Sequence, residues 1–581
     1  MRPLLLLLLA ACAGAPPPAG PDARGVLDLD GAFETRPWAS DRGAMRPGPI
    51  ELRAAFTLPD ARVGAGSALE LEGLWWRAAV TVNGVTMPPV TGGNATAIVP
   101  VGAALRPGRN ELTVRLSPPT TEMPIETGGG LASSSFHRDR ATLQVAPRLV
   151  LRPAAHVAWA TLRAEGASVV PVAQVSGAPA GAVVDFSVVG PSGPVALGAA
   201  AVGPDGRVAA PAVAWDLERW APGAPALYPL LARLRDPGGA DLDQLSARVG
   251  VRSVSVEAGA IHINGAPHRL VGARVTNRPD LGSMPERLAA LLPAGINALE
   301  IHGELPRSSW LDLADEVGLP VVVVPRCVGR TRRGSRATPA ALALQQTQDD
   351  RFVADLTDRP SVLMWVGEGP SPRSQQGQAT PLVMWTDHLL QDPLQRPVVQ
   401  YHLPDRFLQT RPPGPDGVVH HSCEREPCKG AWLVEVTWEG PTVPAMWPAM
   451  ATAFEQSIGV GAVGGVVPTP ERHDVANWAA AFTPVTAAVG ASPLTPDGHR
   501  AASVVTVRGA PPGETAWLSA PAAGAVGAVV AADGTATLSL WHEGAATLQV
   551  GARSQSLSLQ AGTWAGLARS GGVTAVDLAD R

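Results

Sequence analysis

Three runs near the middle of the chain decide its architecture: RVGVRSVSVEAGAIHINGAPHRLVGARV (248–275), LLPAGINALEIHGELPRSSWLDLADEVGLPVVVV (291–324) and RPSVLMWVGEG (359–369). The second run is the most explicit. An apolar strand opens after Gly295-Ile296-Asn297. A helix follows in which Trp310, Leu313, Ala314 and Val317 recur at the spacing of one face. Ser309 and Asp312 read as its cap, Gly318 and Pro320 stop it, and four valines then form a second strand. Two apolar strands joined by an amphipathic helix make a β-α-β unit, which requires a parallel sheet covered on its faces.

The same pattern extends in both directions. Ser283-Met-Pro-Glu286 reads as a capping box, with Leu288, Leu291 and Leu292 on one helix face. Thr338-Pro339 and Thr380-Pro381 place proline at the first position of two further helices. Strand candidates lie near 268–275, 296–301, 320–324, 361–366, 397–400, 417–420, 431–436 and 460–467. Eight strands with helices between them predict a TIM (β/α)8 barrel over residues 257–490. The spacers around the sixth strand, LPDRFLQTRPPGPDG and SCEREPCKG, hold no convincing helix, so the barrel is trimmed there.

The flanks change period. Residues 26–152 alternate apolar and polar residues, with turns at Asn83-Gly84 and Pro107-Gly108. Residues 153–256 are again all-β, and 491–581 return to short alternating runs such as TATLSLWHEG. The predicted class is multi-domain, β plus α/β: a jelly-roll sandwich, an immunoglobulin-like sandwich, the trimmed barrel and a C-terminal β-sandwich. Gly (62) and Pro (58) suit so many turns, and 581 residues are too many for one core.

The central runs resemble the barrel of glycoside hydrolase family 2, which contains β-galactosidases, β-glucuronidases and β-mannosidases. GLWWRAAVTVNGVTMPPVTGG resembles that family's jelly roll, and ERWAPGAPALYPLLARLRD its immunoglobulin-like domain. The resemblance implies retaining hydrolysis of a β-glycoside by two carboxyl groups at barrel strand ends. These carboxyls stand roughly 5–5.5 Å apart in such enzymes. In Arg359-Pro-Ser-Val-Leu-Met-Trp365-Val-Gly-Glu368 the carboxylate matching the family's acid is Glu368, though no asparagine precedes it. In GAWLVEVTWEG the nucleophile position falls on Glu435, with Glu439 as the fallback. Further departures surround these two. NALEIHG carries Glu300 where the family carries an arginine, VVVVP ends in Pro325, and GARVTNRPD lacks an Asn-Arg-His. A bare third carboxylate would raise the pKa of its neighbours, so a cation or donors near Glu435 are expected to offset Glu300, with Arg274 or Arg278 the nearest by topology. The alternative is a catalytically inactive homologue that binds carbohydrate or serves as a surface scaffold.

His302, His402 and His420 follow or end strand candidates, and with Trp365 and Trp438 they are the expected sugar-binding residues. Trp75 and Trp76 read first as sandwich core. His420, His421, Cys423 and Cys428 fit no standard zinc spacing, so no metal and no cofactor are expected, and zinc chemistry stays a third reading. Gly459-Val-Gly461-Ala-Val-Gly464 lies inside a strand candidate and is not a dinucleotide site; no G-x-S-x-G elbow occurs.

A net charge of -5 gives no electrostatic drive toward nucleic acid. The start, MRPLLLLLLAACAG, is too short an apolar run to span a bilayer and reads as an export signal. Leu9-Ala-Ala-Cys12 resembles a lipobox, which implies a signal peptide at 1–11, lipidation at Cys12 and a Pro/Gly-rich tether at 12–25. The expected product is an exported bacterial lipoprotein, held to the membrane only by that anchor. An oxidising compartment permits a Cys423–Cys428 disulfide.

Overall fold

The computed structural model describes residues 24–36, 46–74, 76–92, 95–118, 140–141, 143, 145–257, 260–275, 284–302, 308–324, 347, 350–368, 392–401, 408–409, 418–421, 433–439, 448, 450–451, 464–468, 475–488, 494, 496–565 and 567–578.

The first sandwich packs a five-stranded sheet, centred on Ile50–Leu58, Gly108–Ser117 and Arg77–Val82, against part of an eight-stranded one. Alternation sets the inner faces: Leu52, Phe56, Val80 and Val114 meet Leu27, Leu69, Val99 and Leu149. Asn83 and Gly84 both adopt positive φ and turn Arg77–Val82 into Val85–Thr86, as the Asn-Gly pair predicts. Trp76 is buried, in keeping with a core role.

The eight-stranded sheet crosses a domain boundary. Gly25–Asp28 pairs antiparallel with Arg148–Leu151 on one side and parallel with Gly524–Val529 on the other. Trp517 and Val529 of the C-terminal segment therefore belong to the jelly-roll core. Thr515 Oγ1 donates to the Thr57 carbonyl, and the Arg62 guanidinium lies 4.3 Å from the Trp517 ring centre. The jelly roll and the C-terminal sandwich share one continuous sheet.

The second domain is a sandwich of two four-stranded sheets closed around Phe186, Trp215, Tyr228 and Leu230. Arg24, one residue before the first strand, bonds Asp243 inside this domain, and Asp243 also accepts from the Val157 N–H. A three-stranded meander, Val254–Glu257, Ala260–Ile263 and Ala266–His268, follows. Its Ile261 and Ile263 pack with Leu270, Ala298 and Leu363, which stand at or near the starts of barrel strands. It thereby plugs the N-terminal end of the barrel sheet.

All eight barrel strand candidates form strands: β1 (Leu270–Val275), β2 (Ala298–His302), β3 (Val321–Val324), β4 (Val362–Glu368), β5 (Val398–Tyr401), β6 (Val418–His421), β7 (Leu433–Glu439) and β8 (Gly464–Pro468). They lie in the order β5-β4-β3-β2-β1-β8-β7-β6, and every neighbouring pair from β5 to β7 is parallel. β6 differs: it runs antiparallel to β7, and Leu408–Gln409 adds to its outer edge. Residues 422–432 are too few for the crossover a parallel neighbour needs, so the chain turns back as a hairpin. That is the form the trimming takes.

Among the described residues, helices flanking the sheet include α1 (Met284–Leu291), α2 (Ser308–Val317), α3 (Val475–Ala488) and the helical residues 350–355. Leu299, Ile301, Val321, Val323 and Trp365 face Leu288, Leu313, Ala314 and Val317 across one core. The cap of α2 differs from the Ser309/Asp312 expectation. Glu72 of the jelly roll accepts from both the N–H and the Oγ of Ser308, while Asp312 pairs with Arg248 and Arg359. A carboxylate from another domain does what a local cap would do. Gly295, at φ 84°, ends the turn after α1, and a Cβ there would sit 2.4 Å from Thr486 Oγ1 of α3.

Candidate active site at the strand ends

In a parallel barrel the reacting groups stand at the C-terminal strand ends. β4 ends on Glu368, level with Tyr401 of β5. Glu435 is the last residue of β7 in register with β8, opposite Val466. The strand runs on to Glu439, its following residues pairing with β6. The strand end expected at Glu435 is thus the end of its parallel ladder only, because the hairpin with β6 prolongs it. His302 closes β2 opposite Val324; His420 lies opposite Thr437, and Trp438 opposite Val419. These six are placed by their backbones. His402, Cys12, Cys423 and Cys428 lie outside the described residues.

Arg274 and Glu300 are neighbours in the β1–β2 register, and the guanidinium Nε donates to Glu300 Oε1 at 2.6 Å. The Glu300 side chain is fully buried. Its charge at the strand ends is compensated by a cation from the adjacent strand, as a carboxylate out of water requires. Arg274 is one of the two cations, with Arg278, that topology offered to offset Glu300; Arg278 lies outside the described residues.

Trp365 is a correction. It is fully buried on the helix-facing side of β4, its ring 5.9 Å from that of Phe352, and it offers no face to a sugar. Its Nε1 donates to Asp392 Oδ2 at 2.9 Å, and Arg396 lies 4.5 Å from its ring centre. Burial pushes the Asp392 carboxyl up, but the Arg396 ion pair outweighs it and holds the group below its ordinary value. Asp392 and Arg396 were not singled out in the sequence; their only signal is an acid and a base four residues apart. Through Trp365 they fix the middle of the strand that ends on Glu368.

Among the described residues, no three His, Cys, Asp or Glu side chains gather as a metal site. No described helix is long and apolar enough to cross a membrane.

A β-glucuronidase from Ruminococcus gnavus, solved in complex with D-glucaro-d-lactam, superposes at a TM-score of 0.54 with 16% identity, covering 73% of this chain and 74% of that one. This is the fold of the family 2 glycoside hydrolases. Another structure of that enzyme, in complex with D-glucaro 1,5-lactone, aligns at a TM-score of 0.49 with 18% identity over 61% of this chain and 63% of the other. In sequence, a β-galactosidase from Vibrio cholerae is 33% identical over 110 residues, 18% of this chain and 11% of that protein. The chain thus matches about a tenth of that curated relative's length. No family-wide sequence profile matches the chain. The chain shares the fold of these structures, with a barrel modified at β6.

Proposed function

We propose that the chain is a retaining β-glycosidase acting on a carbohydrate. Glu368 would protonate the leaving glycosidic oxygen while Glu435 attacks the anomeric carbon and forms a glycosyl ester. Glu368, now a base, would then take a proton from the water that cleaves this ester, returning both carboxyls to their starting states. No cofactor is needed. The observation that carries this reading is that β4 ends on a glutamate and the parallel ladder of β7 ends on another, while Glu300 between them is neutralised by Arg274.

A panel of aryl β-glycosides tests it. Turnover that falls by roughly a thousandfold or more in both Glu368→Gln and Glu435→Gln supports hydrolysis. Full activity in both variants would move the site, with Glu439 next. A second reading, an inactive carbohydrate-binding homologue, is favoured by the hairpin that embeds Glu435 in a longer strand. Absence of turnover on the whole panel, with sugar binding retained, would select it.

We also propose export and anchoring through a lipidated Cys12. Cys12→Ala should release the protein from membranes or leave an unprocessed precursor. A soluble wild type whose N-terminus starts beyond Cys12 would overturn the anchor.

A further inference from the structure

A cavity of about 220 Å³ opens where the jelly roll, the immunoglobulin-like sandwich and the helical flank of the barrel meet. The jelly roll contributes Glu70, Arg148 and Arg152; the sequence around the helical residues 350–355 contributes Arg351 and Asp355. Three guanidiniums surround Glu70 loosely, with Arg148 at 3.4 Å, Arg152 at 3.6 Å and Arg351 at 3.8 Å. Arg148 has a second carboxylate in Glu72 at 3.2 Å, and Arg351 has Asp355 at 2.9 Å. Arg152 is less well provided. Its Nε is buried without a hydrogen-bond partner, and burial pulls its pKa down. The rest of its guanidinium lines the cavity and meets Glu70 only at 3.6 Å, so an acceptor in the cavity can compete for it.

The third wall is aromatic. The pairing of His156–Glu165 with Ser168–Ser176 slips between Val157 and Trp159, leaving Ala158 as the extra residue. Such a bulge re-aims the side chains around it. Ala158 and the half-buried Trp159 both line the cavity.

We propose that this cavity binds a single sugar ring, at a site separate from the strand-end carboxylates. Its lining balances four arginines (Arg148, Arg152, Arg351, Arg359) against four acids (Glu70, Glu72, Asp355, Asp358), which suits a hydroxyl-rich ring better than a multiply charged anion. Ring hydroxyls donate to Glu70 and Asp355 and accept from Arg152, while the C–H face lies on Trp159. The volume falls below the roughly 300–1,000 Å³ of drug-sized sites, which selects one ring and not an oligosaccharide.

Calorimetric titration of the full chain with D-glucose, D-galactose and D-glucuronate, each alone, tests this. Saturable binding of at least one is expected in the wild type and, unchanged, in the Glu368→Gln/Glu435→Gln double variant. Trp159→Ala and Arg152→Met should each weaken it tenfold or more without altering aryl-glycoside turnover. Trp159 is half-buried, so that variant keeps the test open if Arg152→Met fails to fold. No saturable binding of any of the three sugars, or binding unaffected by Trp159→Ala, overturns the proposal. Binding lost only in the double variant places the sugar at the strand ends and overturns it too. Because the titration does not depend on turnover, failure of hydrolysis and failure of this site are separate results.

Discussion

Arg274 and Glu300 stand side by side on adjacent parallel strands, joined by a 2.6 Å hydrogen bond at the end of the sheet where chemistry belongs. The fully buried carboxylate has its countercharge supplied by the neighbouring strand. Glu368 ends β4 and Glu435 ends the parallel ladder of β7 at the same edge of the sheet.

Arg274→Met should destabilise the fold by about 3–5 kcal/mol, because it strands a buried charge. Adding Glu300→Leu should recover most of that loss. Urea denaturation of the single and double variants measures both steps, and equal stability of Arg274→Met and wild type would contradict the pairing.

Asp355 gives a pH signature. Burial, only partly offset by Arg351 and the Thr96 N–H, raises its pKa from the ordinary 3.8 to about 6. The folded protein holds this proton more tightly than the unfolded chain. The group therefore favours folding below pH 3.8, and the advantage is lost as pH rises through about 6. Relative to Asp355→Asn, the wild type should lose about 3 kcal/mol across this window. Denaturation curves at pH 4, 5, 6 and 7 check the sign, and stability rising with pH relative to the variant would contradict it.

Asp392→Ala should cost about 3–5 kcal/mol, since it leaves the Arg396 guanidinium and the Trp365 N–H buried without their shared acceptor. If β4 positions Glu368, turnover should fall more than substrate affinity. A variant as stable as wild type would show that Asp392 holds nothing.

Truncation before residue 491 should not leave a folded remainder. It would strip Gly524–Val529 from Gly25–Asp28 and remove Trp517 from the jelly-roll core. A soluble, cooperatively melting fragment would contradict the shared sheet.

Cys423 and Cys428 are expected to be bridged in exported protein. Mass spectrometry of non-reduced peptides decides this, with two free thiols or stoichiometric zinc as the contrary results.

The barrel strands were readable because each is an apolar run between helix signals, and period marks both. The direction of β6 was not, since strand periodicity carries no sign; only the short spacer after it hinted at a hairpin. Trp365 misled because its ring suits a sugar or a core equally, and the pleat of β4 chose the core. The Ser308 cap was invisible because its acceptor, Glu72, lies 236 residues away. Glu300 was legible as a problem, and its answer lay in the register of β1 against β2.

The parallel pairing of Val26 with Val526 joins residues 500 positions apart. At a synthesis rate of about 5–20 residues per second, the first strand waits roughly 25–100 s for its partner to be made. During that time the first strand of the N-terminal sandwich lacks one of its two neighbours. Its final closure is a late, high-contact-order event. The chain therefore completes its first domain last, only after its C-terminal segment has been made.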